Sequence, residues 1–147
     1  MPAAPLPPDI QVITEITIID QLMTNQLERL LPPGLSMAQF GVLNHLVRLG
    51  REEGPAQLAA AFQVTKGAMT NTLQRLEAQG FVEVAGHPDD GRRKRVTLTP
   101  AGATAHQAAF ASLDPLRLAV RAAFPPEAFE AALPFLASLR AWLDANR

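Results

Sequence analysis

Residues 55–98 place the tightest constraint on what this chain can fold into. Pro55 suits the first position of a short helix, PAQLAAAF. A tight turn at Gln63-Val64 follows, and Thr65 is a good N-cap for KGAMTNTLQRLEAQ, which stops at Gly80. Phe81-Val82-Glu83-Val84 and Arg95-Val96-Thr97-Leu98 alternate in character on either side of the turn-rich GHPDDG. They predict a β-hairpin with a long tip. A short helix, a tight turn, a second helix and a hairpin make a winged helix-turn-helix.

The flanks read as helices punctuated by proline. MPAAPLPP holds four prolines in eight residues and reads as an extended arm. Asp9 is placed to cap a long helix to about Leu31, in which Val12, Ile16, Ile19, Met23, Leu27 and Leu30 step by three and four. Ile10, Val12, Ile16 and Ile18 would also suit a strand, and length decides for helix. Pro32-Pro33-Gly34 ends it. Ser36 then caps a second helix to about Leu49, with Phe40, Leu43, Leu46 and Val47 inward. Beyond Thr99, Pro125-Pro126 separates two C-terminal helices, inside which Pro115 and Pro134 each predict a kink or a restart. The expected fold class is mainly α with one small β-hairpin, a single domain spanning 147 residues.

Composition excludes several functions. Without cysteine there is no disulfide, thiol nucleophile or thiolate metal site. Two charge-free runs, 30–47 and 96–113, reach 18 residues, but prolines, glycines and polar side chains interrupt both, so neither predicts a membrane span. The N-terminus lacks the basic residues and apolar block of a secretory signal, which predicts a cytoplasmic protein. His45, His87 and His106 are isolated from any metal-ligand spacing, and no nucleophile elbow, P-loop or dinucleotide fingerprint occurs. No enzyme activity, cofactor or metal is expected.

Net charge is −1, yet its distribution is uneven. Residues 1–47 carry Arg29 against four acids, whereas residues 48–97 carry eight basic and six acidic side chains. Four of those cations are consecutive, Arg92-Arg93-Lys94-Arg95. They repel one another and do nothing for folding, but they sit where a wing would meet a phosphate backbone. Asp89 and Asp90 just before them can pair with an arginine and direct it, and an arginine so held suits a minor groove.

In the helix after Thr65, Met69, Thr72, Leu73 and Leu76 form the stripe that faces a core. The opposite face offers Lys66, Gly67, Thr70, Asn71, Gln74 and Arg75, side chains suited to base edges and phosphates. Taken alone, that face is equally a solvated helix surface. The cationic wing at the right separation favours nucleic acid.

The blocks VTKGAMTNTLQRLEAQGFV (64–82) and HPDDGRRKRVTLTPAG (87–102) resemble the multiple-antibiotic-resistance regulator (MarR) family, as does LSMAQFGVLNHL (35–46). Asp90, Arg92, Val96, Leu98, Thr99 and Gly102 match the family's wing pattern. The resemblance implies a homodimeric, sequence-specific DNA-binding regulator, a repressor more than an activator, on a pseudo-palindromic double-stranded operator. It implies dimerisation helices at 1–31 and 100–147 and a DNA-binding region at 36–98. DNA contacts carry over to Thr65, Lys66, Gly67, Thr70, Asn71, Gln74 and Arg75, and in the wing to Arg92, oriented by Asp90 and flanked by Arg93 and Lys94. Where the family often has glycine before the recognition helix, this chain has Gln63. Family members typically respond to a small aromatic or phenolic effector. By analogy Asn25 and His45 supply polar contacts among Met23, Leu27, Phe40 and Phe110. The alternative from another class is a winged helix that docks on an acidic protein partner and does not read DNA sequence.

Overall fold

The computed structural model describes residues 4–147. Helix α1 (Pro8–Leu30) opens with Pro7 at the N-cap and Pro8 in the first turn. Asp9 is therefore inside the first turn, where its charge meets the positive end of the helix, and does not cap it. The expected arm is shorter than eight residues: Ala4–Pro7 lie outside any helix or strand, Pro8 is helical, and residues 1–3 fall outside the described chain.

Helix α2 (Met37–Leu49) begins with a reciprocal cap. Ser36 Oγ accepts from the Gln39 N–H at 3.2 Å while Gln39 Oε1 accepts from the Ser36 N–H at 2.9 Å. Its inward face is Phe40, Val42, Leu43 and Leu46, and Val47 is exposed. Helix α3 (Pro55–Ala61) and helix α4 (Lys66–Ala78) follow, then the hairpin of β1 (Val82–His87) and β2 (Asp90–Leu98).

These elements share one core. Val42, Leu43 and Leu46 of α2 meet Leu58 and Ala59 of α3, Met69, Leu73 and Leu76 of α4, and Val82 and Val96 of the hairpin. Leu43, Leu58 and Leu76 are fully buried, each contributing about 1.5–3 kcal/mol. Glu53, in the segment between α2 and α3, pairs with Val96 through two backbone hydrogen bonds, 3.2 and 2.7 Å, as a one-residue third strand.

The hairpin differs from its expected long tip. Strand pairing runs regularly from Val82↔Leu98 to Gly86↔Lys94, then jumps to His87↔Asp90. Pro88-Asp89 makes the turn, and residues 91–93 are left outside the register as a bulge on β2.

Past the wing, the segment between Thr99 and Pro125 forms two helices, α5 (Pro100–Ser112) and α6 (Asp114–Ala123), and the last helix is α7 (Pro126–Ala145). Pro115 sits in the first turn of α6, as a restart requires, whereas α7 continues through Pro134. That proline leaves the Glu130 carbonyl without its helical donor, a loss that solvent can make good on so exposed a helix. Leu31, Phe40 and Ala109 make a second small core where α1, α2 and α5 meet. No residue of α1, α6 or α7 is buried. None of the helices among the described residues is long and apolar enough to cross a membrane.

Candidate nucleic-acid interface

Helix α4 is set by its two ends and one stripe. Thr65 Oγ1 accepts from the Ala68 N–H at 3.1 Å, satisfying one of the free amides of the first turn. The preceding turn needs a left-handed residue, and Gln63 supplies it at φ +53°. Its side chain donates to the Ala60 carbonyl at 2.8 Å, which partly offsets a strain of about 1–2 kcal/mol. The turn survives the loss of glycine. Met69, Leu73 and Leu76 face the core, while Thr72 is half-buried.

The other face carries Lys66, Gly67, Thr70, Asn71, Gln74 and Arg75, all exposed. Thr70 Oγ1 donates to the Lys66 carbonyl at 2.8 Å, so its methyl and free lone pairs are what it offers outward. A Cβ at Gly67 would meet nothing within 4 Å of it in the protein.

At the wing tip, Asp90 acts on two arginines. Its Oδ1 accepts from the Arg92 backbone N–H at 3.0 Å, and its Oδ2 lies 3.8 Å from Arg93 Nε. The carboxylate thus fixes the backbone of Arg92 and pairs with the guanidinium of Arg93, where the sequence suggested a hold on the Arg92 side chain. Arg95 is spent on Glu52 at 3.0 Å. Among the described residues Lys66, Arg92 and Lys94 have no ion-pair partner.

Wing and helix face each other across a cleft of about 680 Å³. Lys66 and Thr70 line it from α4, Arg92, Arg93, Lys94 and Arg95 from β2, and Gln57 from α3. Asn71, Gln74 and Arg75 lie on the same exposed helix face without lining the cleft. Glu52 and Glu53 line it as well, Glu52 paired with Arg95 at 3.0 Å and Glu53 with Arg51 at 3.2 Å. Among the wall residues without a signal of their own in the sequence are Gln57 and His87. Gln57 enters because α3 abuts the wing. His87 enters because the hairpin turns one residue after it, and its Nδ1 accepts from the Asp89 N–H at 3.2 Å.

Asn25, Phe40 and His45 do not come together. Asn25 is exposed on α1, Phe40 is buried and stacks on His106 at 5.8 Å, and His45 meets Phe62 edge-on at 5.4 Å on the α3 side. Arg48 reaches His45 Nδ1 at 3.4 Å, so the proton of the neutral ring belongs on Nε2, which is buried without a partner. Burial lowers the pKa of His45, with nearby Glu53 opposing and Arg48 assisting, and burial likewise lowers that of His106. His106 Nε2 lies 3.0 Å from Asn44 Oδ1. A separate apolar cleft of about 610 Å³ lies among α1, α5, α6 and the start of α7, lined by Met23, Leu27, Phe110, Val120, Phe124 and Phe129 among others.

Comparison with known proteins decides the kinship. A helix-turn-helix-type transcriptional regulator of Mycobacterium bovis is 30% identical over 102 residues, 69% of this chain and 71% of its own length. Residues 34–93 match the MarR family model. The chain belongs to the MarR family. The multiple antibiotic resistance protein MarR of Salmonella typhimurium is 36% identical to it over 84 residues, 57% of this chain. The match spans 56% of that relative, little more than half its length. A mutant MarR from Escherichia coli, solved in complex with operator DNA, superposes with a TM-score of 0.71 at 26% identity, covering 88% of this chain and 94% of the other. The matched segment of the MarR family model contains α4 and the wing turn as far as Arg93, so most of the cleft lies within it, with Lys94 and Arg95 just beyond.

Proposed function

We propose that this MarR-family chain is a homodimeric, sequence-specific DNA-binding repressor whose hold on its operator is relieved by a small aromatic or phenolic effector. The observation that carries the reading is the cleft in which Lys66 and Thr70 face Arg92, Arg93 and Lys94. In this reading residues 36–98 bind DNA and the helices of 1–31 and 100–147 form the dimer. Support for the dimer comes from the apolar surface that one copy leaves bare: Leu133 is 65% exposed, Trp142 62% and Phe135 55%. A folded monomer seldom carries so many large side chains in water.

The chemistry follows from the residue types. Asn71 or Gln74 can read adenine by a paired hydrogen bond, Lys66 can reach guanine O6 and N7, and the Thr70 methyl can pack on a thymine methyl. Arg92, unpaired at the tip and steadied by Asp90, suits the narrow negative potential of a flanking minor groove. Thr65 and Arg75 lie at the helix edges, where phosphates pass, and Arg93 and Lys94 add counterion release. A two-fold dimer would place two α4 helices about 34–36 Å apart on one DNA face. The effector is assigned to the apolar cleft of α1, α5 and α6. Its volume suits a ring-sized ligand, and Arg121 on its wall can meet a phenolate.

The test is a selection from random duplexes with purified protein. An enriched pseudo-palindrome with half-sites about one turn apart is the expected outcome. No enrichment, with weak sequence-blind binding only, would favour the protein-docking alternative.

A further inference from the structure

We infer that Gln79 is a positioning residue for DNA reading, which through buried Gln39 ties the C-terminal end of α4 to the α1–α2 loop and sets the tilt of the recognition helix. The inference rests on the DNA-binding reading above and names a residue that fixes its geometry.

Gln79 is the exposed C-cap of α4. An exposed glutamine ordinarily spends its amide on water, but here both polar atoms are committed to distant parts of the chain. Gln79 Oε1 accepts from Gln39 Nε2 at 2.7 Å, and Gln79 Nε2 donates to the Gly34 carbonyl at 2.8 Å. The orientation of each amide forces the next. Gln39, 4% exposed, already gives its Oε1 to the Ser36 N–H, so only its NH₂ faces Gln79. Gln79 must then present its oxygen to Gln39, and its own NH₂ is left for Gly34. Gly34 stands at φ +85°, a conformation that favours glycine.

The loop at the other end of this relay is not free to drift. Leu31 is buried against Phe40 and Ala109, which anchors it to α2 and α5. A second tether lies alongside, since Thr99 Oγ1 donates to the Gly80 carbonyl at 2.6 Å from the start of α5. The foot of α4 is thus held from two sides by the helices that continue into the proposed dimer.

Leverage makes this matter for reading. Helix α4 has 13 residues, about 20 Å of rise, and Lys66, Gly67 and Thr70 lie at the end far from Gln79. A tilt of about 5° at the foot moves Lys66 by about 1.7 Å, about half of the ~3.4 Å base-pair step. Dimer geometry and half-site spacing are matched only while the tilt is fixed.

The test uses the full-length protein on the duplex that selection yields, with its half-sites at the selected spacing and at one and two base pairs either side. Wild type is expected to prefer the selected spacing at least about tenfold. Gln79→Met, which keeps the length and loses both hydrogen bonds, is expected to cut that preference at least about threefold. Gln79→Glu keeps the oxygen facing Gln39 but sets a carboxylate oxygen against the Gly34 carbonyl; it should also cut the preference at least about threefold, and it serves if the methionine variant fails to fold. A variant that binds every spacing more weakly by one common factor, or that matches wild type throughout, would overturn the inference and leave Gln79 a stabilising contact. A wild type with no spacing preference would overturn the operator reading itself, and the relay's role with it.

Discussion

Asp90 accepts a hydrogen bond from the backbone N–H of Arg92 at 3.0 Å, so one carboxylate steadies the chain from which the wing-tip arginine projects. The same carboxylate partly neutralises Arg93 at 3.8 Å, and among the described residues the Arg92 guanidinium has no ion-pair partner. Arg92→Ala should weaken operator binding by about 1–3 kcal/mol while the thermal midpoint stays put. Asp90→Ala should weaken it less, by freeing the bulge. Binding titrations beside thermal melts check both, and equal affinity for Arg92→Ala and wild type would remove the wing from the interface.

The bare apolar faces of α1, α6 and α7 give the dimer claim a direct handle. Leu133, 65% exposed in a single copy, is expected to be covered by the second. Leu133→Asp would bury a charge at that contact. Sedimentation should then report half the wild-type mass, with loss of high-affinity operator binding. A dimer that persists unchanged would put Leu133 outside the contact.

Gly102 lets α5 pack directly on the backbone of Phe81, between α4 and β1. A Cβ there would fall well inside contact distance of the Phe81 carbonyl oxygen and 2.9 Å from Leu98 Cδ1. Backbone cannot give way as a flexible side chain does. Gly102→Ala should cost about 3 kcal/mol or more, read as a lower urea midpoint. A midpoint within error of wild type would mean that α5 can slide away from Phe81.

Acid should loosen the fold through two histidines. Burial lowers both His45 and His106, so the folded state takes up protons less readily than the unfolded chain. The stability that their neutral forms provide is complete above the ordinary histidine value, about 6.5, and is lost as pH falls from there through the lowered folded values. Urea midpoints should therefore drop between pH 7.5 and 5.5, and drop less in His106→Gln. An identical pH dependence in that variant would acquit His106.

Local rules reached the features that depend on a few adjacent residues. Thr65 as the cap of α4, the Ser36 cap, the Met69/Leu73/Leu76 stripe and the hairpin were all legible, because capping and periodicity act within one or two turns. Gln63 kept its turn in the absence of glycine because the core on both sides over-determines it. What escaped was set by contacts between distant segments. The single bridge of Glu53 to Val96 has no pattern to read, and the bulge at 91–93 depends on register. Helix proximity groups His45 with Asn25, but the turn of α2 sends it to Phe62. The Gln39–Gln79 contact joins residues 40 apart, beyond any periodicity.

The measurement that bears most directly on the central claim is a pair of titrations at several salt concentrations, one with the selected duplex and one with its scrambled counterpart. The account predicts a gap of about 10³ or more at physiological salt, with both affinities falling steeply as salt rises. Equal, weak binding to the two duplexes would contradict it.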